Sequence, residues 1–269
     1  MKTLLRVVLL ACSAPLWMAC QGPVPVAKDS RPLEIILVGD STMAPNSGYG
    51  NALCERFLKE VTCLNLAKGG RSSGSYRAEG SWEIVMQQLR RDTDKRRVVL
   101  MQFGHNDQPG KPGRSTDLAT EFPVNLARYV DEVRTAGAEI ILLTPLTRRT
   151  FKDGVLPNDL RPWAEASLRV ASEKQVSAID LNQQSHALVA AMGQSEADTL
   201  AMVPPPPEIV APTSGSTLAT VERQGAAKSA FDRTHVGKKG AAIFSAMVVQ
   251  ALVAVDPEIG NGMAKGSSR

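Results

Sequence analysis

Five apolar runs alternating with stretches of helical periodicity constrain this chain more than any other feature of it. The runs are "LEIILVG" at 33–39, "VTCLNLA" at 61–67, "RVVLMQFG" at 97–104, "AEIILLTP" at 138–145 and "VSAIDL" at 176–181. Each has the length of a strand, and near-continuous apolar character is what a strand covered on both faces shows. Asn51 to Lys59, Trp82 to Leu89, Phe122 to Thr135, Trp163 to Lys174, Leu181 to Met192 and Lys238 to Val253 carry apolar residues at helical spacing. Such alternation predicts an α/β domain, a mainly parallel five-stranded sheet between helical layers. An apolar fraction of 43% with only 4% aromatics suits that sheet, because the aliphatic residues carry it.

The ends of the chain and one internal segment fall outside the rhythm. Lys2 and Arg6 flank the start of an apolar run from Val7 to Ala19 that is too short to span a bilayer, the pattern of a secretory signal peptide over residues 1–19. "LWMAC" sets Ala19 before Cys20, a cysteine that bacterial lipoproteins would acylate, although Trp17 departs from the small or aliphatic residue usual there. The expectation is an exported protein, periplasmic or anchored at the outer membrane through Cys20, otherwise secreted, and touching a membrane only through that anchor. Residues 20–32 read as a Pro-rich tether. Residues 194–230, with "VPPPPEIVAP" and "TSGST", read as a long loop, and 256–269 as a flexible tail.

Charge singles out no partner: 31 Lys and Arg face 27 Asp and Glu, and loss of the leader would remove two of the cations, Lys2 and Arg6. "RRDTDKRR" at 90–97 is broken by two acids and reads as the solvated end of a helix, so nucleic acid is not an expected partner. Cys54 and Cys63 fall at a helix and at the strand after it. Export permits a disulfide between them, and two buried free thiols are the competing arrangement. Two cysteines nine apart with no nearby His pair do not make a zinc site, and no metal is expected.

Chemistry-bearing residues gather where the apolar runs end. "GDSTMA" places Asp40, Ser41 and Thr42 just beyond the first run, at the edge where open α/β sheets bind ligands. "KGGRSSGSY" follows the second, with Gly69 and Gly70 able to present bare N–H groups, and "FGHNDQPG" follows the third, offering the Asn106 amide. "FDRTHVGKKGA" sets Asp232 three residues before His235, ahead of the last helix. A serine nucleophile needs a base near neutral pKa, and an imidazole held in the correct tautomer by an acid supplies one. Asp40 is better read as stabilising a helix start than as that acid, His105 as a brace for its loop, and His186 as a surface residue.

These four blocks, in this order, resemble those of the SGNH (GDSL-type) hydrolases, and "GDSTMA", "GGRSSGSYRAEG" and "FGHNDQ" resemble the rhamnogalacturonan acetylesterase branch. The likeness runs from about residue 33 to 255, which would form the hydrolase domain. It implies a three-layer α/β/α flavodoxin-like fold without metal or organic cofactor. Ser41 would be the nucleophile, its amide with Gly70 and Asn106 the oxyanion donors, and Asp232 and His235 the rest of a triad. "SGYGN" departs from the Trp-Gly pair common in that branch, with Tyr49 in the aromatic place, and the Pro-rich insertion is long.

Arg71 is a candidate for pairing with a carboxylate of an acidic polysaccharide, with a structural salt bridge as the alternative. Tyr49, Tyr76 and Trp82 are candidates for stacking on sugars, with packing against the sheet as the default. The implied activity is removal of O-acetyl groups from a pectic rhamnogalacturonan by a monomeric serine esterase. A xylan, another glycan or a small ester is the alternative substrate, and a non-catalytic carbohydrate-binding protein is the alternative class.

Overall fold

The computed structural model describes residues 29–206 and 231–264. The expected signal peptide, Cys20, most of the tether, the greater part of the Pro-rich loop and the last five residues lie outside that range. Five strands, β1 (Leu33–Gly39), β2 (Thr62–Asn65), β3 (Arg96–Gln102), β4 (Glu139–Leu143) and β5 (Ser177–Ile179), form one sheet in the order β2-β1-β3-β4-β5. Every pairing in it is parallel. This is the flavodoxin-like order, in which the chain leaves β1 on one side for β2 and returns on the other for β3. A crevice therefore opens at the carboxyl ends of β1 and β3, where the first and third motif blocks lie.

Successive strand residues point to opposite faces. Ile35, Leu37, Val98, Leu100, Ile141 and Leu143 share one core with Leu53 of α1 (Gly50–Cys54), Val189 of α6 (Leu181–Asp198) and Phe244, Val248 and Leu252 of α7 (Lys238–Val255). Ile36, Val38, Val99, Met101, Ile140 and Leu142 face the other core. It is closed by Val85 and Leu89 of α3 (Ser81–Leu89), Leu126, Tyr129 and Val133 of α4 (Glu121–Thr135), and Trp163 and Val170 of α5 (Arg161–Lys174). Two dry faces on one sheet explain why these strands read as unbroken apolar runs.

The structure corrects the sequence reading at three places. Periodicity predicts a helix from Asn51 to Lys59, but α1 ends at Cys54, which is disulfide-bonded to Cys63 of β2 with the Cα atoms 5.4 Å apart. In a loop-closure account so short a ring contributes about 2.5 kcal/mol. Past it, the chain pairs with residues expected to be flexible: Leu58 N–H donates to the Gly262 carbonyl at 2.8 Å, and Phe57 bridges Met263. The second correction is that the tail is folded as far as Ala264. Helix α8 (Pro257–Gly260) buries Ile259, and Arg96 at the head of β3 bonds Asp256 at 2.5 Å. Third, α6 kinks at Gly193 and continues through Gln194 to Asp198, so helix occupies the start of the expected loop. A further short helix that periodicity did not signal, α2 (Ser75–Ala78), follows the second motif block.

Candidate active site

Strand β1 ends at Gly39, and the next residues form a tight turn rather than the helix start expected at Asp40. The Met43 and Ala44 amides donate to the Asp40 carbonyl at 3.2 and 3.0 Å, while Asp40 Oδ1 accepts from the Thr42 N–H at 2.9 Å and the Thr42 hydroxyl at 2.8 Å. The turn is braced from β3, whose Gln102 Nε2 donates to Thr42 Oγ1 at 2.6 Å. On the far side the Ser47 hydroxyl donates to the Ser41 carbonyl at 2.7 Å, and the Ser47 carbonyl accepts from the Val236 N–H at 3.0 Å. Ser41 is thus held at the sheet edge by bonds that also reach the residue after His235.

His235 Nε2 lies 2.7 Å from Ser41 Oγ, and His235 Nδ1 lies 3.0 Å from Asp232 Oδ1. The same carboxylate oxygen accepts the N–H groups of Thr234 and His235, each at 2.8 Å. A carboxylate on Nδ1 favours the tautomer protonated there, which leaves Nε2 as the acceptor facing the serine. Both ring and hydroxyl are almost fully buried.

The oxyanion candidates sit on the loops after β2 and β3, and a Cβ built at Gly69 would lie 3.8 Å from Ser41 Cβ. Gly70 adopts a φ of 78°, a left-handed conformation that favours glycine. Gly104, at φ 144°, opens the "GHND" block where a Cβ would come within 2.9 Å of Pro145. Asn106 Nδ2 donates to the Arg71 carbonyl at 3.0 Å, fixing the plane of the amide and leaving its second hydrogen for another acceptor. His105 braces the loop as expected: its Nδ1 lies 3.3 Å from Asp40 Oδ2, and both side chains are buried. Burial works to raise the Asp40 carboxyl, yet His105 and the Thr42 donors hold it below the ordinary range. Burial pushes the His105 imidazole down, against the pull of the Asp40 carboxylate.

Asp107 joins the second and third blocks. Its Oδ1 accepts from the Ser73 N–H at 3.0 Å and the hydroxyls of Ser73 at 2.6 Å and Thr116 at 2.9 Å. Burial pushes its pKa up to about 6, against the pull of these donors. Between about pH 4 and 6 the folded protein retains a proton that the unfolded chain has released, so this group's contribution to stability falls as pH rises through that window. Asp107→Asn keeps the accepting oxygen and cannot ionise. The variant is expected to gain about 3 kcal/mol relative to wild type between pH 4 and pH 7 in urea denaturation. Parallel stability profiles would show that folding does not raise the Asp107 pKa.

The four candidates for sugar contact are engaged within the protein. Tyr49 is fully buried with its hydroxyl on Gln102 Oε1 at 2.7 Å, and Tyr76 is buried with its hydroxyl on the Leu66 carbonyl at 2.7 Å. A ring beneath the surface that meets its own polar requirement cannot stack on a glycan. Arg71 pairs with Glu79 through Nε at 2.7 and 2.9 Å, and its Nη1 donates to the Gly69 carbonyl, so it shapes the glycine turn instead. Trp82 is likewise in the core, and His186 is half-buried with Nε2 3.0 Å from the Leu156 carbonyl.

Several polar residues of this region escaped the sequence reading. Lys111 and Arg114 are half-buried on the loop after Asn106, and among the described residues neither has a carboxylate within 4.0 Å. Lys111 Nζ donates to the His105 carbonyl at 2.6 Å, and burial with neighbouring Arg148 lowers its pKa to about 8. Arg114 Nη1 lies 3.4 Å from the Gly70 carbonyl and 3.5 Å from Asn106 Oδ1. Arg149, fully buried after β4, donates to three carbonyls of the 232–235 segment. Two consecutive arginines immediately past an apolar strand were the available signal for it.

Known proteins resemble this chain in both sequence and fold. The profile of the GDSL-like Lipase/Acylhydrolase family matches residues 37–206, which excludes the 232–235 segment. Rhamnogalacturonan acetylesterase RhgT of Bacillus subtilis (strain 168) is 32% identical over 178 residues, 63% of this chain and 74% of that protein. Probable rhamnogalacturonan acetylesterase YesY of the same organism is 31% identical over 176 residues, 63% of this chain and 79% of the other. Among solved structures, YxiM of Bacillus subtilis aligns with a TM-score of 0.63 at 23% identity, over 82% of this chain and 56% of that one. The acetyl xylan esterase AlAXEase aligns with a TM-score of 0.55 at 14% identity, over 82% of this chain and 100% of that one.

Proposed function

The chain belongs to the GDSL-like lipase/acylhydrolase family and is a serine esterase, and we propose that it removes O-acetyl groups from pectic rhamnogalacturonan through an acyl-enzyme on Ser41. The observation that carries the chemistry is the unbroken line from Asp232 through His235 to Ser41, with contacts of 3.0 and 2.7 Å. In this mechanism Ser41 Oγ attacks the acetyl carbonyl as His235 Nε2 takes its proton. The proton passes to the departing sugar oxygen, leaving acetyl-Ser41. Water then attacks the acetyl carbonyl, giving one proton to the same nitrogen, and acetic acid leaves as that proton returns to Ser41, ionising to acetate in solution. The amides of Ser41 and Gly70 and the Asn106 side chain would donate to the tetrahedral oxyanion of each step.

Two observations favour a pectic substrate. The rhamnogalacturonan acetylesterases are its relatives at about one-third identity, whereas the acetyl xylan esterase shares the fold alone. Arg114 also places positive charge beside Gly70 and Asn106, and Lys111 a second cation on the same loop, which suits a polyuronide better than a neutral xylan. Export and a lipid anchor at Cys20 belong to the same proposal, and the Cys54–Cys63 bond supports an oxidising compartment. A binding module would not require serine, imidazole and carboxylate in hydrogen-bonded series.

The test is acetate release from acetylated rhamnogalacturonan, acetylated xylan and a deacetylated control, with Ser41→Ala beside the wild type. Release from the pectic substrate that depends on Ser41 supports the proposal. Release from xylan or aryl esters only removes the pectin assignment, and no release from any ester returns weight to a binding protein. In the Lys111→Met/Arg114→Met variant, kcat/KM on the polyuronide relative to 4-nitrophenyl acetate is expected to fall about tenfold, with a weaker dependence on salt. An unchanged ratio would deny these cations a part in substrate choice.

A further inference from the structure

We infer that Arg149 is a positioning residue, whose buried guanidinium sets the acid and base of the proposed triad against Ser41. The inference rests on the triad reading above and adds to it a residue from a different strand-end loop. Arg149 Nη2 donates to the carbonyls of His235 at 2.6 Å and Asp232 at 3.3 Å, and Nη1 donates to that of Thr234 at 3.3 Å. Its backbone N–H adds a bond to the Arg233 carbonyl at 2.9 Å. All four residues from Asp232 to His235 are therefore held, through their backbones, by this one residue at the carboxyl end of β4.

The placement is costly for stability alone. The side chain is fully buried, and no carboxylate lies within 4.0 Å of it among the described residues. Taking a guanidinium out of water without a paired acid is unfavourable, and an apolar side chain of similar volume would fill the space without that penalty. Burial lowers its pKa to about 10, with Asp232 and Asp198 holding it up, so it remains a cation at neutral pH. What a guanidinium supplies, and an apolar group or a lysine does not, is a rigid fork that meets several carbonyls in one fixed plane. The segment it grips carries both partners of Ser41, and the Nε2 to Oγ distance of 2.7 Å depends on where that segment lies.

The bond between Arg233 and Asp198, at 2.8 and 2.9 Å, holds the outer side of the same segment to α6. A variant at Arg149 should therefore loosen the segment without releasing it. The experiment compares Arg149→Met, Arg149→Lys and Ser41→Ala. It measures kcat and KM on 4-nitrophenyl acetate, the rate at which a fluorophosphonate labels Ser41, and near-UV circular dichroism as a check on folding. The expected result is a folded Arg149→Met with kcat about 100-fold lower and Ser41 labelling slowed by the same factor, while KM stays within about threefold. Arg149→Lys is expected to recover about tenfold of that loss, since it keeps the charge and one donor direction but not the fork.

A folded Arg149→Met with kcat within about twofold of wild type would overturn the inference while leaving the triad intact, provided that Ser41→Ala is inactive. If Arg149→Met does not fold, Arg149→Lys decides. A loss of about tenfold in kcat at constant KM supports positioning, and wild-type turnover overturns it. Turnover retained by Ser41→Ala would instead remove the triad reading itself.

Discussion

Ser41→Ala and His235→Ala are each expected to lower kcat on an acetylated substrate by about a millionfold, and the double variant to be no slower than either. Non-additivity is the informative part. A serine whose proton has nowhere to go is almost as poor a nucleophile as none, and an imidazole without its serine has nothing to activate. In the proposed mechanism the two act as one device, and their Nε2 and Oγ atoms are 2.7 Å apart. Asp232→Asn should be milder, about ten-thousandfold, because it leaves the imidazole in place but favours the wrong tautomer. KM should change little in all of them, since none removes a contact to the sugar chain. If His235→Ala retained as much as about a hundredth of wild-type kcat, another group would be the base.

Asn106→Ala is expected to lower kcat by about 100- to 1000-fold at nearly constant KM. The oxyanion exists in the transition state and tetrahedral intermediate, not in the bound ester, so loss of a donor appears in turnover rather than in affinity. Folding should survive, because the amide's bond to the Arg71 carbonyl at 3.0 Å contributes about 1 kcal/mol. Asn106→Asp tests the same point from the other side: a carboxylate of equal shape turned toward a developing negative charge should be at least as damaging as alanine. Equal losses in kcat and in substrate affinity would make Asn106 a binding residue instead.

The parts legible in the sequence were those whose chemistry or burial restricts residue type locally. Strands β1 and β3 were readable because Ile35 to Val38 and Val98 to Met101 meet a core on either side. Ser41, Asn106, Asp232 and His235 were readable as candidates because a hydroxyl, an amide, an acid and a base each fall at a strand end or helix mouth. What stayed hidden depends on contacts distant in sequence. The end of α1 is decided by pairing between Phe57 and Met263, and the burial of Tyr49 and Tyr76 by acceptors on β3 and past β2. Aromatic residues near a motif read equally well as sugar platforms or as core, and only the partner of the hydroxyl separates the two. Arg149 was hidden for the same reason: its partners are backbone carbonyls more than eighty positions away, and backbone leaves no trace in residue type.

Ser47 has a bearing on how far this protein can diverge. Ser41 and His235 are separated by 194 residues. Were their spacing transmitted through the sheet and α7, each change of core volume would be felt at the reacting atoms. Ser47 instead links the two loops directly, its hydroxyl on the Ser41 carbonyl and its own carbonyl on the Val236 N–H. Mutational drift in either core can then shift helices against the sheet while serine and imidazole move together, so the tolerance of the scaffold to substitution is partly decoupled from the tolerance of the reaction.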